Sequence, residues 1–144
     1  MATSTGMQVI TLPAEITQLE KVLDFIRSIV EKTACPRKIV QYIEIAAEEI
    51  FVNIVHYAYP VGEPGVVRIE CKMDPTSKQP TVIIVFADQG KPYNPLKHQD
   101  PDITVPIEER HIGGLGILMT KRIMDSVEYQ YTKGWNYLVI KKSW

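Results

Sequence analysis

Glu49, Asn53 and His56 carry the most pointed chemistry in the sequence. Spacings of four and three set them along one helical face. A carboxylate one turn from an amide can place a proton acceptor beside a hard-cation ligand. An amide oxygen suits Mg²⁺, which keeps several waters and takes few protein ligands. A solvated helix face with a Glu–Asn contact is the plainer reading of the same spacing. Asp88-Gln89-Gly90-Lys91-Pro92 stands where an apolar run from Thr81 to Ala87 ends. An aspartate there can accept from a ligand's amino group, and Gly90 lets backbone come close to that ligand. An ordinary Asp-x-Gly turn has the same letters. Gly113-Gly114-Leu115-Gly116 opens another apolar segment. Clustered glycines leave backbone N–H groups free to face an anion, and a helix N-terminus adds a favourable dipole. A flexible hinge is the alternative. The pattern is neither Gly-x-Gly-x-x-Gly nor a Walker lysine motif, which argues against the common nucleotide folds.

These residues need elements to hold them. Met7 to Leu12 reads as a first strand ended by Pro13. From Ala14 to about Thr33 the apolar residues Ile16, Leu19, Val22, Leu23, Ile26, Ile29 and Val30 recur at helical spacing. Pro13 suits the first position of that helix, where a missing N–H costs no intrahelical bond. A second helix runs from about Pro36 to Tyr59, with Ile39, Ile43, Ala46, Ala47, Ile50 and Ile54 on its buried side. Val66 to Met73 and Thr81 to Ala87 form a hairpin after the turn-rich segment 60–65. Asp88 to Ile112 is long, polar and rich in proline; a stretch of that kind in a compact domain is usually functional. Pro95 to Ile112 has little apolar surface with which to order itself, and we expect it to supply a mobile lid. A third helix follows from the glycines to about Met124. Ser126 to Tyr131 and Trp135 to Lys142 close the chain as a hairpin around Lys133-Gly134. The order β-α-α-β-β-loop-α-β-β predicts a mixed, mostly antiparallel sheet with helices on one face, an α/β two-layer sandwich.

Composition limits the function. The 144 residues are 45 % hydrophobic and 23 % charged, which suits one globular domain spanning 1–144 with a buried core. A net charge of −1 gives no reason to expect nucleic acid or an anionic membrane as the main partner. No apolar run approaches the roughly 20 residues that cross a bilayer. The first residues, Met1-Ala2-Thr3-Ser4-Thr5-Gly6, lack the basic start and apolar stretch of a signal peptide. Two isolated cysteines, Cys35 and Cys71, point to a reducing cytoplasm. With three scattered histidines, a metal held by protein side chains alone is not expected.

The order of the signals goes further than any one of them. Glu48-Glu49-Ile50-Phe51-Val52-Asn53-Ile54-Val55-His56-Tyr57-Ala58-Tyr59 resembles the N box of the GHKL ATPase superfamily. Asp88-Gln89-Gly90-Lys91-Pro92-Tyr93-Asn94-Pro95 resembles its first glycine box, and Gly113-Gly114-Leu115-Gly116-Ile117 its second. Met124-Asp125 and Gly134-Trp135-Asn136 follow in register. Within the superfamily, the short lid and the run Asn53-Ile54-Val55-His56-Tyr57-Ala58-Tyr59 are most similar to the anti-sigma regulatory factor serine/threonine kinases.

The resemblance covers nearly the whole chain and implies a Bergerat fold that binds ATP and Mg²⁺ between helices and lid. Carried over by position, it implies Glu49 as general base and Asn53 as Mg²⁺ ligand. It puts Asp88 on the adenine amino group with Gly90 beside it, and has Gly114, Leu115 and Gly116 cradle the phosphates. Arg110, in the lid, would reach the γ-phosphate, and Asn136 would lie near the adenine. Two departures stand out: Gly113 replaces a residue that is often polar or basic, and Asn136 stands where many members use Thr. The implied activity is phosphorylation of a small anti-anti-sigma-type antagonist, with a sigma factor or similar regulator as second partner; a homodimer is compatible with it. The rival from another class is an ATP-binding interaction module that signals through its lid and transfers no phosphate. A sensor histidine kinase domain is disfavoured, because nothing before Met7 offers a phosphoacceptor-histidine hairpin.

Overall fold

The computed structural model of the chain describes residues 6–97 and 114–144. Five strands, β1 (Gln8–Pro13), β2 (Val66–Met73), β3 (Thr81–Asp88), β4 (Ser126–Thr132) and β5 (Trp135–Ser143), form one sheet in the order β1-β2-β3-β5-β4. Three helices, α1 (Leu19–Val30), α2 (Arg37–Tyr57) and α3 (Gly114–Ile123), complete the two-layer sandwich expected from the sequence. The sheet is antiparallel at all four pairings rather than mixed. The lid expectation lies mostly outside the described residues, as do Arg110 and Gly113.

Period-two alternation gives the sheet one apolar face. Register aligns Ile10, Ile69, Phe86, Leu138 and Tyr129 in one cross-sheet row, and Cys71, Ile84, Ile140 and Val127 in the next. Val22, Ile26 and Val30 of α1, and Ile43, Ala46, Ala47, Ile50 and Phe51 of α2, are buried in the same core. Helical recurrence of these side chains is what turns one stripe of each helix inward. Ala46 and Ala47 are fully buried, which lets α2 lie close to its neighbours. It packs against α1 on one side and α3 on the other. Arg27 of α1 holds Glu44 of α2 through Nε, at 2.7 Å. No helix among the described residues is long and apolar enough to cross a membrane.

Local chemistry explains the boundaries. Lys133 and Gly134 both have positive φ, 51° and 85°, the two-residue turn whose twist suits a hairpin. Pro36 caps α2 from extended backbone, and Ala34 (φ 57°) makes the sharp exit from the preceding turn. The sequence placed Pro13 at the head of the first helix; it ends β1 instead, opposite Val66. A proline at the end of an edge strand forfeits no ladder bond that matters. The chain then passes through a 3₁₀ turn, Ile16–Gln18, before α1 begins at Leu19.

Candidate functional site

One cross-sheet row breaks the apolar pattern: Leu12, Val67, Asp88, Asn136 and Tyr131. Asp88 and Asn136 face each other across β3 and β5, only 5 % and 7 % exposed. Buried polar groups must be bonded, and these are. Asn136 Nδ2 donates to Asp88 Oδ1 at 3.0 Å, to the Lys91 carbonyl at 3.0 Å and to the Gly90 carbonyl at 3.3 Å. Its Oδ1 accepts from the Tyr93 N–H at 3.2 Å and from the Tyr129 hydroxyl. Gly90 N–H also donates to Asp88 Oδ1, at 2.9 Å. Burial pushes the Asp88 carboxyl above its ordinary value; the Asn136 and Gly90 hydrogen bonds act against that rise.

The turn after Asp88 is seated on the end of α2. Lys91 N–H donates to the Ala58 carbonyl, and a Cβ added at Gly90 would lie 2.1 Å from that oxygen. Close approach to a ligand is the expected reason for this glycine; contact with α2 is a reason the structure supplies. The Tyr59 hydroxyl accepts from Gln89 N–H at 2.9 Å and donates to the Val66 carbonyl at 2.6 Å. Tyr57 of α2 stacks on Tyr93, with ring centroids 6.3 Å apart, tying the outgoing loop to the same helix.

Between α2 and the sheet lies a cleft of about 460 Å³, part of it open to solvent. Asp88 and Asn136 stand at its sheet wall and Asn53 at its helix wall, with Ile50, Phe86 and Ile117 forming apolar surface between. Glu49, one turn before Asn53, is half-buried at the first turn of α3. A Cβ at Gly116 would fall 1.8 Å from Glu49 Cδ, so the carboxylate rests on the glycine's backbone. Burial raises the Glu49 carboxyl, neighbouring Glu48 raises it further, and His56 lowers it. A carboxylate held this way keeps a stronger grip on a proton than a solvated one. Gly114, Leu115 and Gly116 form the first turn of α3, where backbone N–H groups lack intrahelical partners. Thr120 Oγ1 donates to the Gly116 carbonyl at 2.9 Å, fixing that turn from below.

The structure thus brings Glu49 to Gly116, and Asn53, Asp88 and Asn136 to one cleft. His56 is exposed, with its ring edge-on to Tyr57. Tyr93, Tyr129 and Tyr59 were not singled out by sequence. Tyr129 had a signal: the Lys133-Gly134 turn pairs Tyr131 with Asn136 and sets Tyr129 diagonal to it on the same face. Among the described residues no group of three His, Cys, Asp or Glu side chains could hold a metal ion.

Comparison with known proteins places this arrangement. The family model described as a histidine kinase-like ATPase domain matches residues 12–142. The serine/threonine-protein kinase BtrW of Bordetella bronchiseptica is 27 % identical over 96 residues, 67 % of this chain and 65 % of that protein. The crystal structure of the RsbU and RsbW domains of a Mycobacterium tuberculosis protein superposes with a TM-score of 0.67 at 14 % identity. It covers 96 % of this chain and 32 % of the other, so the chain spans less than two thirds of either relative. The fold is shared with that structure, and the matched family model extends across nearly all of the sequence. The chain therefore belongs to the histidine kinase-like ATPase family, the GHKL group that its three boxes resemble.

Proposed function

We propose that the chain is an ATP-dependent serine/threonine protein kinase of the anti-sigma type, acting by partner switching. Its substrate would be a serine or threonine on a small antagonist protein, and its second partner a sigma factor or similar regulator. The observation that carries this reading is the contact of Glu49 with Gly116, one helical turn from the cleft-lining Asn53. A proton acceptor there lies beside the backbone N–H groups that would cradle a transferred phosphate. The names of the two relatives, a serine/threonine-protein kinase and an RsbW domain, support the class.

Asp88 would accept the adenine amino group through Oδ2, the oxygen without a hydrogen bond among the described residues. The phosphates would lie along Gly114, Leu115 and Gly116, with Arg110 reaching the γ-phosphate. Asn53 suits Mg²⁺, since it lines the cleft and an amide oxygen there would need only phosphates and waters to complete such a shell. Bound there, Mg²⁺ would neutralise phosphate charge. Glu49 would then take the proton from the substrate hydroxyl as its oxygen bonds to the γ-phosphorus. The bond from that phosphorus to the β-phosphate oxygen breaks, and ADP leaves. Positioning and electrostatics carry most of such a reaction.

The deciding experiment incubates the protein with γ-labelled ATP and an antagonist protein that binds it. Phosphoserine or phosphothreonine on the antagonist is the expected product. Tight ATP binding and complex formation without any transfer would establish the non-catalytic interaction module instead.

A further inference from the structure

Asn136 spends its whole hydrogen-bonding capacity inside the chain. Two N–H donors on Nδ2 face three acceptors: Asp88 Oδ1 and the carbonyls of Gly90 and Lys91. Two lone pairs on Oδ1 face two donors, the Tyr93 N–H and the Tyr129 hydroxyl. An amide can be turned end for end, but here only one orientation works. The Tyr93 N–H cannot accept, so it must meet the oxygen; the three acceptors must meet the nitrogen. Tyr129 reinforces the choice from β4 and also receives the Tyr93 N–H, at 3.3 Å. Nothing on Asn136 is left over for a nucleobase.

The consequence falls on Asp88. Its Oδ1 already holds two donors, Asn136 Nδ2 and Gly90 N–H. Its Oδ2 has no hydrogen bond among the described residues, and Asp88 lines the cleft. The carboxylate is therefore presented in one orientation with one acceptor toward the ligand. We propose that Tyr129 and Asn136 are positioning residues for base specificity: they hold Asp88 as an acceptor that favours a 6-amino purine over a 6-oxo purine. This rests on the nucleotide-binding reading above and differs from it in one respect. Asn136, expected beside the adenine, acts through Asp88 and does not contact the base.

ATP and ITP test the idea, because they differ at the 6-position of the purine, with the change in N1 protonation that follows. A carbonyl oxygen opposite a fixed carboxylate leaves two acceptors facing each other. Unmet buried acceptors cost on the order of 1–3 kcal/mol, so ITP should bind roughly 5- to 150-fold more weakly than ATP. Asn136→Asp keeps shape and keeps an acceptor for Tyr93 and Tyr129. Its second oxygen, however, meets Asp88 Oδ1 and two carbonyls, and paired carboxyls must share a proton. Asp88 then ceases to be a pure acceptor, and the ATP-over-ITP ratio should fall by about tenfold or more. Tyr129→Phe keeps the ring and removes one donor from Asn136 Oδ1; the ratio should fall by about two- to fivefold.

Calorimetric titration of both nucleotides into wild type and variants, with thermal melts for folding, reads these ratios directly. A fall in the ratio in folded variants supports the positioning role, since a general loosening would weaken both nucleotides alike. If Asn136→Asp does not fold, Tyr129→Phe decides alone. Folded variants that keep the wild-type ratio overturn the proposal and leave ATP binding standing. A wild type that binds neither nucleotide overturns the proposal together with the reading beneath it.

Discussion

Gly90 and Gly116 both lie against α2, and neither leaves room for a methyl group, yet the obstacles differ. At Gly90 an added Cβ meets the Ala58 carbonyl, main chain that cannot turn aside. At Gly116 it meets the carboxylate of Glu49, the far end of a flexible side chain. The two ends of the cleft differ in the same way. Around Asp88, strand register and a closed set of hydrogen bonds fix every group. Around Glu49, one helix face rests on the first turn of another. The Asp88 end, where the proposed nucleotide would place its base, is part of the scaffold, so errors there should cost stability and affinity together. The Glu49 end, where its phosphates would lie, can be disturbed with the fold intact, so errors there should cost chemistry first.

The largest effect is expected at the phosphate end. Glu49→Gln keeps size and hydrogen bonding but removes the proton acceptor, and positioned acid–base groups contribute about 10²–10⁴-fold. Phosphotransfer should drop by that order while ATP binding, read by calorimetry, stays near wild type. Gly116→Ala should also suppress transfer, because the methyl group evicts Glu49, while thermal stability holds or rises through better helix propensity, worth up to about 1 kcal/mol. A Glu49→Gln protein that phosphorylates its partner at the wild-type rate would remove Glu49 as the base.

Next come the two ways of damaging the base end. Asp88→Ala removes the acceptor for an adenine amino group, and ATP should bind about 1–3 kcal/mol more weakly. It also strands Gly90 N–H and leaves Asn136 Nδ2 only the Gly90 and Lys91 carbonyls, so the melting temperature should fall. Gly90→Ala forces main chain apart and should destabilise by about 1–3 kcal/mol, the range for overpacking. The contrast with Gly116→Ala is the sharper test. Equal stability of the two alanine variants in denaturant unfolding would mean that the ends are not built differently.

Much of this was legible in the residues. Helical recurrence found α1 and α2, and alternation, apolar runs and turn signals found the five strands within a few positions, because burial writes those patterns directly. Pro13 misled, since the same missing N–H suits a helix start and an edge-strand end. Local spacing marked Glu49 and Asn53, and the position after an apolar strand marked Asp88. What spacing could not give was how these residues are held. The seating of Gly90 on Ala58 joins parts of the chain that only the folded sheet and helix bring together. Tyr129 lies between these cases: hairpin register predicts its place beside Asn136, but only the structure gives its hydroxyl a partner.

The smallest predicted effect is on stability, and its size separates the two ends again. Asp88 and Glu49 are both held above their ordinary values, chiefly by burial. A carboxyl raised in the folded state favours folding fully below its unfolded value, about 4. That contribution is lost as pH climbs through the raised folded value. At pH 7 the wild type therefore carries two desolvated carboxylates, and neutral replacements relieve the cost. Asp88→Asn can still accept from Asn136 and Gly90 through its amide oxygen, so its gain should survive intact. We expect it to melt a few degrees above wild type at pH 7, at roughly 2–4 °C per kcal/mol. Glu49→Gln should gain less, because Glu49 is half-buried where Asp88 is 5 % exposed. Both advantages should fade in melts taken below about pH 4, where the wild-type carboxyls are themselves neutral. An Asp88→Asn protein no more stable than wild type at pH 7, or one whose advantage persists in acid, would show that its hydrogen bonds, and not its desolvation, set the energy of this carboxylate.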